Sequence, residues 1–215
     1  MQKDHIIMLA WPEGYVRAAG AWYDKFFSIN GKYRVGHSAA VLINSKEGKA
    51  YYFDFGRYHT PKGYGRVRDE ETDPDLILPN VNIKSEKIVN LNDILVFLSK
   101  LKSTHGEGRL YASLLSEVSF FDAYNYAKKV QNKGMVKYGP FVYGGTNCSR
   151  FTASLAISSL PPVFKKIRLR FPFTISPSPK RNVSILNNTY YVVDKENVKI
   201  ISKSKLKAYF SSIEI

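Results

Sequence analysis

One cysteine is all the sequence has, Cys148 among 215 residues. A lone thiol rules out an internal disulfide and a cysteine-based zinc site. A reducing compartment is the simpler setting, so a cytoplasmic location is the expectation. No apolar run approaches the length of a membrane span. The stretch from Met1 to Pro12 has too short an apolar run and too little basic lead-in for a signal peptide, and reads as a first strand. Acidic residues are scarce: 18 Asp and Glu face 32 Lys and Arg, for a net charge of +14. That excess suits contact with nucleic acid, a lipid surface or an acidic polymer, or a basic surface in water. No Arg-Gly repeat, zinc finger or aromatic RNA-binding signature accompanies it. No internal repeat and no long linker divides the chain.

What is present is enough for a core. Hydrophobic residues make up 44% and aromatics 14%, which excludes a disordered chain. Tyr and Phe are abundant, which suits strands.

The most informative stretch runs from Tyr143 to Phe151, Tyr-Gly-Gly-Thr-Asn-Cys-Ser-Arg-Phe. Two glycines and a Thr-Asn pair precede the cysteine, and a small apolar run to Leu160 follows it. This is how a turn feeds a helix: Thr146 or Asn147 can cap it, while Phe151, Leu155 and Ile157 face a core. Cys148 then lies in the first helical turn, where free backbone N–H groups and the helix dipole favour a thiolate. A cysteine buried as a small hydrophobe is the plainer reading of the same residue.

Elsewhere the elements follow local pattern. Residues 5–10 read as a buried strand. From Arg17 to Ser28 the pattern Val16, Ala19, Trp22 or Tyr23, Phe26 and Phe27 recurs at helical spacing, and Gly31 ends the element. Residues 32–43 and 50–58 flank a polar, Gly-containing loop and form a β-hairpin. From His59 to Leu78, glycine, proline and bases give way to acids, which reads as a solvated loop with internal ion pairs or as a substrate-binding flap beside the hairpin. A strand over 81–90, helices over 91–102 and 120–132, and a strand over 109–116 come next. Phe121, Tyr124 and Ala127 mark the inner face of the second helix. Pro161-Pro162 stops the cysteine helix. Residues 163–173 read as extended, and 188–202 as a hairpin turning at Asp194 to Asn197.

A thiol that attacks a carbonyl needs a base, a group to orient the base, and donors for the oxyanion. Of four histidines, His105 lies in a polar turn and His5 near the free end. His37 opens an apolar strand directly after Gly36, where its ring can project into a cleft. Asp54, set among aromatics, is costly unless paired, and is the orienter of choice. Register decides. A turn centred on Lys46-Glu47 makes Asp54 a same-face diagonal neighbour of His37, and a turn at Ser45-Lys46 places it directly opposite. A three-residue loop offers Arg57 or His59 instead.

On these residues the chain resembles NlpC-type peptidases. Phe141 to Phe151 is similar to their cysteine motif, in which an aromatic Gly-Gly turn precedes an Asp-Cys-Ser run at a helix start. Gly36-His37-Ser38-Ala39-Ala40-Val41 is similar to their histidine strand. The order His37, Asp54, Cys148 resembles the circularly permuted papain-like branch. Asn147 stands where those peptidases carry aspartate, Arg150 where a small residue follows, and Phe141 where a tyrosine serves the site.

The resemblance implies an α+β fold, with an antiparallel sheet carrying His37 and Asp54 packed against the Cys148 helix. A single domain over 1–215 is expected, with 163–215 as a candidate β-rich extension. The expected activity is hydrolysis or acyl transfer at an amide or ester, in a peptide, a cell-wall fragment or a lipid. Cys148 is the expected nucleophile, His37 the base and Asp54 the orienter. Tyr138, Tyr143, Asn147 and His59 are the candidates for oxyanion or substrate contacts. No cofactor and no metal are called for. The alternative is a binding module that uses the basic surface and the 59–75 loop to hold an anionic polymer or membrane.

Overall fold

The computed structural model describes residues 3–17, 24–34, 36–170 and 177–204. Its centre is β1 (Asp4–Trp11), buried along nearly its whole length. From Ile6 to Trp11 every position is apolar, so the strand has to be covered on both faces. It pairs antiparallel with β4 (His37–Asn44) on one side and β9 (Leu110–Val118) on the other. Between β1 and β4 lie β2 (Tyr15–Arg17), the short helix α1 (Asp24–Phe27) and β3 (Lys32–Arg34), with β2 and β3 paired to each other. Val16 and Arg17 belong to β2, while the helix expected from Arg17 to Ser28 is present at Asp24–Phe27. Its middle, with Ala19 and Trp22, lies outside the described residues.

The sheet runs outward through β5 (Lys49–Gly56), β6 (Tyr64–Arg68) and the two-residue β10 (Val136–Lys137). On the far side β9 meets β11 (Thr189–Asp194), which pairs with β12 (Asn197–Ser202). All eight strands of this sheet run antiparallel to their neighbours. The C-terminal hairpin therefore continues the central sheet. A separate small ladder joins β7 (Ile83–Lys84) to β8 (Lys87–Ile88), where the sequence suggested one strand.

Period-two alternation sorts the side chains onto two faces. On one face Ile6, Met8, Ala40, Leu42, Phe53 and Phe55 pack with α3 (Phe120–Gln131), α4 (Cys148–Ser158) and α6 (Pro179–Ser184). On the other, Ile7, Leu9, Val41 and Tyr52 meet Ile94, Leu95 and Leu98 of α2 (Leu91–Lys100). The fold is α+β, an antiparallel sheet packed against helices, as expected.

Three elements differ from the sequence reading. Residues 64–68 form β6 rather than part of a loop: Val67 is buried, and the flanking Arg66 and Arg68 find carboxylates in Asp73 and Asp54. The helix α3 turns Phe120, Ala123, Tyr124 and Ala127 inward, and leaves Phe121 exposed. Residues 163–170 form the helix α5 (Val163–Arg170) instead of an extended run. The Pro162 carbonyl accepts from the amides of Lys165 and Lys166. The proline pair that ends α4 thus also starts the next helix.

Candidate active site

The β4–β5 register brings His37 and Asp54 together. Asn44 lies opposite Lys49 and Ala39 opposite Asp54, so His37 is the diagonal same-face neighbour of the carboxylate. Residues 45–48 close the hairpin, with Gly48 at φ +65°. His37 Nε2 is 3.0 Å from Asp54 Oδ2. Gly36, at φ +68°, sets the chain into β4. A Cβ there would sit 2.2 Å from the Trp11 carbonyl oxygen, so the residue before His37 has to be glycine.

Asp54 is fully buried and heavily solvated by protein. Arg68 grips it with two bonds, Nε to Oδ1 at 3.0 Å and Nη2 to Oδ2 at 2.6 Å. The Tyr52 hydroxyl donates to Oδ2 at 3.1 Å and the Tyr58 hydroxyl at 3.4 Å. Burial alone would raise the carboxyl pKa; His37 and Arg68 outweigh it and hold Asp54 down at about 2. The Arg68 guanidinium also lies 3.4 Å over the Tyr58 ring. Tyr58 in turn stands edge-on to His37, and Trp11 stacks on the other side, with ring centroids 6.3 and 5.9 Å from the imidazole. Gly56 makes room for the Tyr58 ring, which a Cβ there would meet at 2.2 Å.

Cys148 is the first residue of α4. The Asn147 side chain caps the helix by accepting from the Arg150 amide at 2.9 Å. Arg150 then reaches back and donates to the carbonyls of Gly145 and Pro140, fastening the Gly-Gly turn to the helix. The helix lies on the opposite face of the sheet from His37. Because His37 begins β4, the imidazole and the thiol meet past the strand's end. Burial pushes the Cys148 thiol up, but its hydrogen bond and charge interaction with His37 outweigh this and lower its pKa; the Ser38 amide also donates to the sulfur. Burial likewise works against a charged imidazole, and the bonds to Asp54 and Cys148 overcome it, raising His37 to about 9. With Nε2 committed to Asp54, Nδ1 is the nitrogen left for the sulfur. Both shifts favour the ion pair, a thiolate beside an imidazolium, over the neutral pair.

A buried polar net holds α4 to the sheet. Thr152 Oγ1 lies 2.9 Å from Ser38 Oγ and 3.1 Å from the carbonyl oxygens of Cys148 and Ser149. Asn182, on α6, donates to the Ser149 carbonyl at 2.7 Å and to Thr152 Oγ1 at 3.1 Å. Replacing Asn182 by alanine removes one of the donors to that carbonyl and one bond to Thr152. The expected cost is about 0.5–1.5 kcal/mol per lost bond in thermal or denaturant unfolding. The slope of the Cys148 alkylation rate against pH should stay unchanged, since Asn182 touches neither the sulfur nor the imidazole.

The sulfur opens into a cleft of about 480 Å³ lined by Tyr15, His37, Arg57, Tyr58, Lys62, His105, Glu107, Tyr138 and Cys148, among others. Of the other sequence candidates, Tyr138 lines this cleft and stacks on Phe55 at 5.8 Å. Tyr143 is 97% exposed and His59 is exposed in a left-handed turn at φ 52°; neither lines the cleft. The Asn147 carboxamide oxygen is spent on the helix cap. Sequence reasoning missed Arg68, Tyr52, Tyr58 and His105, which stacks on Tyr58 at 5.1 Å. Arg68 had one readable signal, a buried carboxylate in need of a cation. Among the described residues no cluster of His, Cys, Asp and Glu suits a metal ion.

A family model described as type VI secretion system effector TseH-like matches residues 6–162, a stretch that spans His37, Asp54 and Cys148. The chain belongs to the TseH-like family of type VI secretion effectors. The crystal structure of the effector TseH is similar over 94% of this chain and 99% of that one, with a TM-score of 0.64 and 23% identity. At that identity the likeness concerns the fold. No curated protein matches the sequence. Asn182, which ties α6 to α4, lies beyond the part that the TseH-like family model covers.

Proposed function

We propose that this TseH-like effector is a cysteine hydrolase of the permuted papain-like kind, cleaving an amide or ester through Cys148, His37 and Asp54. One observation carries the reading: the only thiol in the chain is hydrogen-bonded to an imidazole whose other nitrogen is held by a buried carboxylate, at the wall of an open cleft. The Cys148 thiolate adds to the substrate carbonyl carbon as the carbonyl electron pair moves to oxygen. The free Cys148 amide at the helix start donates to that oxyanion, with Tyr138 the nearest candidate for a second donor. The imidazolium gives its proton to the departing amine or alcohol, leaving an acyl-cysteine. The neutral imidazole then takes a proton from water, whose oxygen attacks the acyl group and frees the thiolate.

Cleft charge supports a peptide-like amide over a lipid ester. Arg57 and Lys62 lie along the cleft with Glu107, so groups of both signs can be met.

Alkylation tests the central pair. Iodoacetamide is expected to label Cys148 at a rate nearly constant from about pH 5 to pH 8. In His37→Ala the rate should climb only above about pH 8, as for an ordinary thiol. Identical profiles for both proteins would remove the basis of the proposal.

A further inference from the structure

The helix α5 carries an unusual surface. Val163, Phe164 and Ile167 are 74%, 63% and 50% exposed, and Leu160 just before the helix is 63% exposed. They fall at i, i+1 and i+4, which is one stripe of an α-helix. Arg168 and Leu169 form the buried side. Lys166 and Arg170 flank the stripe, and neither takes part in an ion pair among the described residues. The neighbourhood in sequence holds no acid: between Asp122 and Asp194 there is not one Asp or Glu, against 11 Lys and Arg. Arg181 of α6 donates to the carbonyls of Arg168 and Leu169, which fixes the C-terminal end of α5 in place.

We infer that this face docks on an anionic lipid bilayer. An exposed apolar stripe rimmed by lysine and arginine is the pattern of a helix lying in the membrane interface, with its apolar side chains entering the acyl boundary. The bases beside it meet acidic headgroups, whose surface potential attracts each of them. A second copy of the chain is a poor occupant, because pairing two such faces would bring Lys166 and Arg170 of each against like charge. The inference is independent of the chemistry at Cys148.

Vesicle flotation tests it. The full chain is expected to float with vesicles containing phosphatidylglycerol, and to bind pure phosphatidylcholine vesicles at least about tenfold more weakly. Val163→Asp with Ile167→Asp should lower binding to the anionic vesicles by about tenfold or more, as should Lys166→Glu with Arg170→Glu. Thermal unfolding of both variants should match the parent, since all four side chains lie outside the buried core. Cys148→Ser should bind like the parent. A control of equal charge, Lys129→Glu with Lys133→Glu at the end of α3, should leave binding nearly unchanged. Absent binding to the anionic vesicles would overturn the inference. So would equal binding to neutral ones, full binding by Val163→Asp with Ile167→Asp, or an equal loss in the α3 control.

Discussion

Replacing Cys148 by alanine is expected to abolish hydrolysis, with kcat falling on the order of 10⁴-fold or more, and His37→Ala to do nearly the same. The two losses should not add. Once the sulfur is gone the imidazole has no nucleophile to activate, so the double variant should resemble either single one. Asp54→Asn should cost less in kcat than His37→Ala, because the ring stays clamped between Trp11 and Tyr58. A release assay with a peptide amide, run beside circular dichroism to verify folding, measures all four. Full hydrolysis by Cys148→Ala would end the thiol mechanism, and no hydrolysis by the parent would favour a binding module on the same scaffold.

Arg68→Met is the substitution expected to cost most stability. It strands the Asp54 carboxylate in the interior, with its two guanidinium bonds gone and only His37 left to neutralise it. Breaking a buried pair in this way costs about 3–5 kcal/mol. For a domain of this size that lowers Tm by roughly 10 °C or more. Arg68→Met combined with Asp54→Leu should recover a large part, since no charge is then left buried.

The pH dependence follows from the same groups. Asp54 titrates at about 2 in the fold, below its usual 3.8, so its stabilisation is present above pH 3.8 and is lost as pH falls from there toward 2. In Arg68→Met the carboxyl loses a group that holds it down, so this acid-side loss should shrink. His37 works in the opposite sense. Raised from 6.5 to about 9, it stabilises fully below pH 6.5, and that contribution drains away as pH rises to about 9. Unfolding measured from pH 2 to 10 should show both flanks in the parent, and a smaller acid-side flank in Arg68→Met.

Much of this could be read from local pattern. Asn147 and the small apolar run after Cys148 announce a capped helix, and that is α4. The hairpin around residues 45–48 could be drawn with three registers, and the one centred on Lys46-Glu47 is the one adopted. The Asp194–Asn197 turn also formed as expected, with Lys195 left-handed at φ 58°. What stayed hidden depended on tertiary partners. Residues 64–68 alternate glycine and arginine with a single apolar side chain, a poor strand until Asp54 and Asp73 neutralise the bases. Tyr58 follows a strand end, where no periodicity marks a side chain as aimed at the His37 ring. Val163, Phe164, Ile167 and Leu169 fit an extended run or a helix equally well, and the backbone constraint at Pro162 decided it. Phe120 and Phe121 are adjacent, so a one-residue phase error exchanged the inner side chain for the outer one.

The order in which the parts of the centre occur along the chain has a consequence for biosynthesis. His37, Asp54 and Arg68 leave the ribosome early; Cys148 comes far later, and Asn182, which ties the cysteine helix down, later still. On the proposed mechanism, a growing chain would therefore carry a base and its carboxylate with nothing to activate. An interrupted translation product ending before α4 would lack the nucleophile, so the proposed activity would arise only when most of the polypeptide has been completed.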